Sequence, residues 1–168
     1  LLPTTDARVR VAVIGAGAGG LAMGARLRMA GIDHFVVLER SEGVGGTWRD
    51  NTYPDAACDV PSHFYSFSFA QNPDWSRKWA KQPEILAYFE SLVDRFDMAD
   101  HFRFGVEVTE ATWSDEDLCW TLRTADGSQV VADVVVSGLG QLNMPHIPDF
   151  EGLGEFGGTK FHSARWDH

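Results

Sequence analysis

Glycines at positions 15, 17 and 20, spaced G-x-G-x-x-G after the apolar run Val11-Ala12-Val13-Ile14, are the residues of this sequence best suited to chemistry. They would build a backbone cradle for a diphosphate. Gly15 allows a sharp turn out of a strand. Gly17, without a Cβ, lets a pyrophosphate approach the main chain, and Gly20 lets the following helix pack closely on the strand. Gly19 lies within the same cradle. The helix that opens here presents unpaired N–H groups and a partial positive charge to the phosphates. A second chemical group is Glu39, at the end of the apolar run Phe35-Val36-Val37-Leu38. It follows the glycines at the separation of about 20 residues at which a dinucleotide fold places the acid for a ribose 2′-OH. A carboxylate there repels a 2′-phosphate, so the site suits FAD or NAD and not NADP.

These groups need a frame. The pattern predicts a strand over residues 9–14, a helix over 17–30 and a second strand over 35–38. Residues 41–82 form a long irregular stretch, too aromatic for disorder. A helix follows at 83–96, with Pro83 in its first turn and apolar residues at 85, 86, 89, 92, 93 and 96. The period then changes to two. A strand over 102–108 is a candidate third member of the parallel sheet, and 110–113, 119–124 and 128–131 form a small antiparallel meander with a hairpin turn at Asp126-Gly127. Residues 132–137 read as a buried strand ending in Gly138-Leu139-Gly140, and 141–158 as a Pro- and Gly-rich linker. The expected fold class is α/β: a Rossmann-like dinucleotide-binding domain with a parallel sheet, crossover helices and a small antiparallel β-meander. That meander in place of a crossover helix is the form taken by FAD-binding domains of two-dinucleotide flavoproteins. The domain is expected over 1–140, and 141–168 as the linker.

At 168 residues the chain is long enough for a normal single-domain core. Its net charge of −10 argues against a nucleic-acid partner. No apolar run approaches a membrane span. Cys58 and Cys119 lack C-x-x-C spacing and indicate neither metal site nor disulfide framework, which fits a reducing cytoplasm. No metal is expected. His63, His101 and His146 have no partner spacing and read as surface residues. Ser62, Ser66 and Ser68 have no nucleophile-elbow context, so hydrolase chemistry is not expected.

The long loop reads Gly45-Gly46-Thr47-Trp48-Arg49-Asp50-Asn51-Thr52-Tyr53-Pro54-Asp55-Ala56-Ala57-Cys58-Asp59. It resembles the longer signature of Baeyer–Villiger monooxygenases, [A/G]-G-x-W-x-x-x-x-[F/Y]-P-[G/M]-x-x-x-D. Asp55 departs from it, standing where the family has Gly or Met. Asp is among the residues that best tolerate an unusual backbone conformation. Near the end of the chain, Phe156, Gly158, His162, Trp166 and Asp167 match the family's short fingerprint F-x-G-x-x-x-H-x-x-x-W-[P/D]. The pair Trp166-Asp167 favours the Baeyer–Villiger branch over the related N- and S-oxygenating flavin monooxygenases.

This resemblance implies an enzyme in which NADPH reduces bound FAD, O2 is consumed, and a ketone becomes an ester or lactone. Gly15, Gly17, Gly20 and Glu39 would bind the FAD pyrophosphate and ribose, with Arg40 near the adenosine. Gly46, Thr47 and Trp48 would flank the flavin and ribityl chain, Tyr65 would be a further FAD contact, and the Val108 backbone would meet adenine. Asp59 resembles the family's catalytic acid near the flavin, which partners an Arg. Phe156, Gly158, His162, Trp166 and Asp167 would couple domain movement to NADPH. Tyr53 reads equally as loop packing, and His162 equally as a structural histidine bound to a backbone carbonyl. No second glycine fingerprint for NADPH and no later Gly-Asp motif occur in the sequence, so the remainder of the same polypeptide is the expected partner. The alternatives are a non-catalytic, nucleotide-binding fragment and an N- or S-oxygenating enzyme.

Overall fold

The computed structural model describes residues 8–168. Strands β1 (Arg8–Ile14), β2 (Phe35–Leu38), β3 (Phe102–Arg103), β4 (Val108–Ser114), β5 (Cys119–Thr124) and β6 (Gln129–Ser137) form one sheet in the order β3-β2-β1-β6-β5-β4. Pairs β3–β2, β2–β1 and β1–β6 are parallel, while β6–β5 and β5–β4 are antiparallel. The α/β, Rossmann-like expectation therefore holds, with the meander built onto the edge of the same sheet.

Helix α1 (Ala18–Met29) carries three glycines and owes its stability to packing more than to propensity. A Cβ on Gly24 would stand 3.0 Å from the Met98 sulfur and 3.6 Å from the Phe35 ring, so the small residue sets how closely α1 lies on the sheet. Helix α3 (Gln82–Arg95) buries Ile85, Tyr88, Phe89 and Leu92, an i, i+3, i+4, i+7 stripe. Proline falls in its first turn, where no intrahelical N–H is lost.

One core lies on the helical face, where Val11, Val13, Phe35 and Val37 of the sheet meet Leu21, Ile85, Phe89 and Leu92. The opposite face collects Val9, Ala12, Val36 and Leu38 with Leu122, Val130 and Ala132 of the ribbon. Alternation along β1 and β2 feeds both, so the central strands are apolar throughout.

The irregular segment is ordered by specific bonds. Tyr88 Oη donates to the Ala70 carbonyl at 2.8 Å and accepts from the Phe67 amide at 2.9 Å. The fully buried Ser62 hydroxyl accepts from the Ala80 amide at 2.8 Å. Among the described residues no buried side-chain polar atom lacks a partner.

Four expectations need correction. Residues 128–131 and 132–137 are not separate strands: β6 is continuous, pairing with β5 over Gln129 to Ala132 and with β1 from Val131 to Ser137. Nor is its second half fully buried. It shares its helical face with Val11, α1 lies over β1 and β2, and Val134 stays 48% exposed. The strand at 102–108 is only two residues long, because Gly105 at φ +70° turns the chain away. His101 is not a free surface residue. Its ring stacks on Phe35 at 3.9 Å and reaches the Phe35 carbonyl at 3.2 Å.

Candidate functional site

The turn after β1 is assembled from four directions. The Gly15 amide donates to the Leu38 carbonyl at 2.7 Å, and the Gly138 amide to the Ile14 carbonyl at 2.8 Å. Gly15 adopts φ +96°, and a Cβ on it would stand 2.8 Å from the Gly138 oxygen. A Cβ on Gly20 would overlap the Gly15 oxygen at 1.8 Å, which is the close helix-to-strand approach expected of the last glycine. Gly17 differs from expectation, since its bare Cα also meets another part of the protein. A Cβ on Gly46 would come 2.9 Å from the Gly17 Cα, so the two glycine motifs pack directly on one another. The Gly45 amide completes the joint by donating to the Ala16 carbonyl at 3.0 Å.

Over this turn lies a cavity of about 580 Å³. Gly15, Gly17, Ala18 and Gly19 line its floor, with Glu39 and Arg40 beside them and Gly46, Thr47, Trp48 and Tyr65 along one wall. Val108 lines it with Val106 and Glu107. The N-terminus of α1 carries no side-chain cap on this side. Its free amides and dipole are thus left for an anion. The glycine floor and uncapped helix fit a diphosphate, and a Cβ on Gly15 of that floor would not fit.

Glu39 points into this turn and is only 8% exposed. Its Oε2 accepts from the Ala16 amide at 2.7 Å, and its Oε1 from the Ser41 amide and hydroxyl, both at 2.8 Å. A carboxylate has about four acceptor positions, so a sugar hydroxyl still finds one.

Along the wall, Trp48 Nε1 donates to Tyr65 Oη at 2.8 Å, with the rings edge to face at 5.6 Å. With that oxygen engaged as an acceptor, the phenol keeps its own proton to donate. Burial pushes the Tyr65 phenol above its ordinary range; the Trp48 hydrogen bond opposes this, and the charges of Cys58 and Asp59 add to it. Asp55 adopts φ +62°, which explains why Gly is acceptable to the family at this position. It is tied by an ion pair to Lys81.

Asp59 stands apart from the cavity. It is exposed and does not line the cavity. The distal fingerprint also lies outside the cavity but packs behind its wall. Helix α2 (Thr47–Asp50) touches the short 3-10 turn Ser163–Arg165. Arg165 lies 3.9 Å from Asp50, and His168 Nε2 lies 2.9 Å from Thr52 Oγ1. His162 caps that turn, its Nδ1 accepting from the Ala164 amide at 3.0 Å, so it binds a backbone N–H and not a carbonyl. A Cβ on Gly158 would strike the Phe156 ring at 2.5 Å, and Trp166 meets Phe161 edge to face at 4.9 Å. Asp167 is exposed.

Sequence reasoning missed the wall formed by Ser137, Gly138, Leu139, Leu142, Asn143 and Met144. The available signal was the Gly138-x-Gly140 pair after a strand, because ligands of open α/β sheets bind beyond the carboxyl ends of the strands. Among the described residues no cluster of His, Cys, Asp and Glu could hold a metal, and no helix is long and apolar enough to cross a membrane.

Comparisons agree with this geometry. A family model described as an NAD(P)-binding Rossmann-like domain matches residues 13–82. A Baeyer–Villiger monooxygenase of Streptomyces coelicolor is 56% identical over 160 residues, covering 95% of this chain and 31% of that protein. One from Pseudomonas aeruginosa is 45% identical over 166 residues, covering 99% and 32%. The crystal structure of cyclohexanone monooxygenase from Rhodococcus sp. Phi1 bound to NADP+ superposes with a TM-score of 0.89 at 40% identity, over 96% of this chain and 31% of that one. An oxidized steroid monooxygenase bound to NADP gives 0.85 at 44%, over 96% and 32%. The chain spans about a third of the length of the curated relatives it matches. Over nearly its whole length, in sequence and in fold, the chain matches about a third of the length of Baeyer–Villiger monooxygenases.

Proposed function

We propose that this chain is the FAD-cradling portion of an NADPH-using monooxygenase of Baeyer–Villiger type, which inserts one oxygen atom of O2 next to a ketone carbonyl to give an ester or lactone. The observation that carries the reading is the junction of Gly17 with Gly46, which puts the diphosphate turn and the family's signature loop into one cavity wall. FAD, when bound, supplies the redox chemistry. The amides after Gly17 hold its diphosphate, Glu39 accepts from the ribose, and Thr47, Trp48 and Tyr65 shape the wall beside the flavin. Asp59 is the acid for an Arg supplied by the remainder of the polypeptide. In this reading residues 1–140 form the FAD-binding domain, and 141–168 lead towards the part that takes NADPH. His162 and its neighbours relay movement of that part to α2. The reading includes a reducing cytoplasm, supported by two buried free thiols, Cys58 and Cys119.

The test begins with FAD titration of the chain, followed by flavin absorbance. NADPH oxidation with a ketone present is then measured on the longer protein that carries this segment. Flavin binding with ester formation is expected. A longer protein that binds FAD but yields only N- or S-oxides, or oxidises no NADPH, overturns the Baeyer–Villiger assignment.

A further inference from the structure

One wall of the cavity is a strap, residues 139–144, leaving the end of β6. Asn143 folds it into a tight turn, its Nδ2 donating to the Leu139 carbonyl at 2.9 Å and the Gly140 carbonyl at 3.2 Å. Gly140 adopts φ +70°, with nothing within 4 Å of where a Cβ would lie, so the strap has room to pivot there. Little burial holds it down, since Leu142 and Met144 are 66% and 70% exposed. Its tie to the first half of the site is Arg40, which follows directly on Glu39. Arg40 Nη2 donates to the Asn143 carbonyl, and Nη1 lies 3.5 Å from the Met144 sulfur. The Val106 amide donates to the Glu39 carbonyl at 2.9 Å, so Val106 and Val108 share this end of the cavity with the strap.

We propose that Arg40 latches the 139–144 strap over the sugar–base end of a bound dinucleotide, and that opening this latch is the step that admits and releases the cofactor. The proposal rests on reading the cavity as an FAD site. Physically, one charge-assisted hydrogen bond is the main tie across a weakly buried segment, so losing it shifts the strap towards the open state. Gly15 to Gly20 then supply affinity, while Arg40 governs the rate of escape.

Amide hydrogen exchange over residues 139–144 in the FAD-free full chain, and FAD dissociation followed by fluorescence, test it together. Arg40→Ala is expected to speed strap exchange and to release FAD about tenfold faster, the scale of one charge-assisted hydrogen bond. Asn143→Ala keeps the carbonyl that Arg40 uses but removes the strap's internal bonds, and is expected to move both readouts the same way. Arg40→Lys, keeping the charge with a single head group, should fall between wild type and Arg40→Ala. Faster release in Arg40→Ala with unchanged strap exchange would mean direct contact with the ligand and overturn the latch, as would unchanged exchange in Asn143→Ala. Failure of the wild-type chain to take up FAD would count against the cavity reading, and strap exchange would still decide whether Arg40 holds the strap.

Discussion

Gly17 and Gly46 meet backbone to backbone, so closely that a methyl group on Gly46 would stand 2.9 Å from the Gly17 Cα. Gly46 holds φ +53° and ψ −122°, a combination closed to other residues. Gly46→Ala therefore meets both a clash and backbone strain, the latter costing about 1–3 kcal/mol. A lower melting temperature and weaker FAD binding are expected. An alanine variant that melts and titrates like wild type would refute the close joint.

Glu39→Ala orphans the Ala16 amide in a buried turn, a loss of about 1–3 kcal/mol. Glu39→Gln keeps one acceptor and should be milder in stability, yet still weaken FAD binding, because its amide group donates where the ribose hydroxyls donate. Denaturant melts and flavin titration separate the two effects. Equal stability of Glu39→Ala and wild type would show that the carboxylate supports nothing in the turn.

In the β5–β6 hairpin, hydrogen bonds from the Ser128 hydroxyl, the Thr124 hydroxyl and the Ser128 amide hold the Asp126 carboxyl down at about 2, against an ordinary 3.8. The folded value lies below the unfolded one, so the turn is stabilised in full above the ordinary value and loses that contribution as pH falls towards about 2. An NMR titration should find this midpoint. Ser128→Ala should move it upward, and a midpoint already at the ordinary value in wild type would contradict the hydrogen-bonded turn.

Asp55 holds φ +62° beside Lys81, whose hydrogen bond and charge hold its carboxyl below the ordinary range. Asp55→Gly should melt at or above wild type because glycine takes this conformation freely, whereas Asp55→Ala should melt lower. Reversal of that order would mean the ion pair, and not the backbone, decides the residue.

The first half of the site was legible because its signals are local. Glycine spacing, apolar runs and the acid after Leu38 all act within one βαβ unit, and the structure places Gly15, Glu39 and Trp48 around one cavity as they require. The signature mismatch at Asp55 was legible too, through its positive φ. What stayed hidden depends on distant partners. Nothing near residue 131 announces that β6 continues past its hairpin to pair with β1. Likewise, Arg40 meets Asn143 across most of the chain, and no periodicity marks such a contact. Asp59 shows the reverse case, because a matching motif position did not bring its side chain to the cavity.

The β1–β6 pairing, from Arg8↔Val131 to Ile14↔Ser137, also bears on how the protein is made. β1 emerges from the ribosome well before β6, its neighbour in the sheet, which follows only after β2, β3, β4 and β5. Until Gly138 is in place, the Ile14 carbonyl lacks its donor and the glycine turn lacks one side. Such long-range closure is slow, and it leaves apolar strand edges open to wrong partners during synthesis. A nascent chain halted before residue 138 thus carries every glycine of the fingerprint and still has no finished place for a nucleotide.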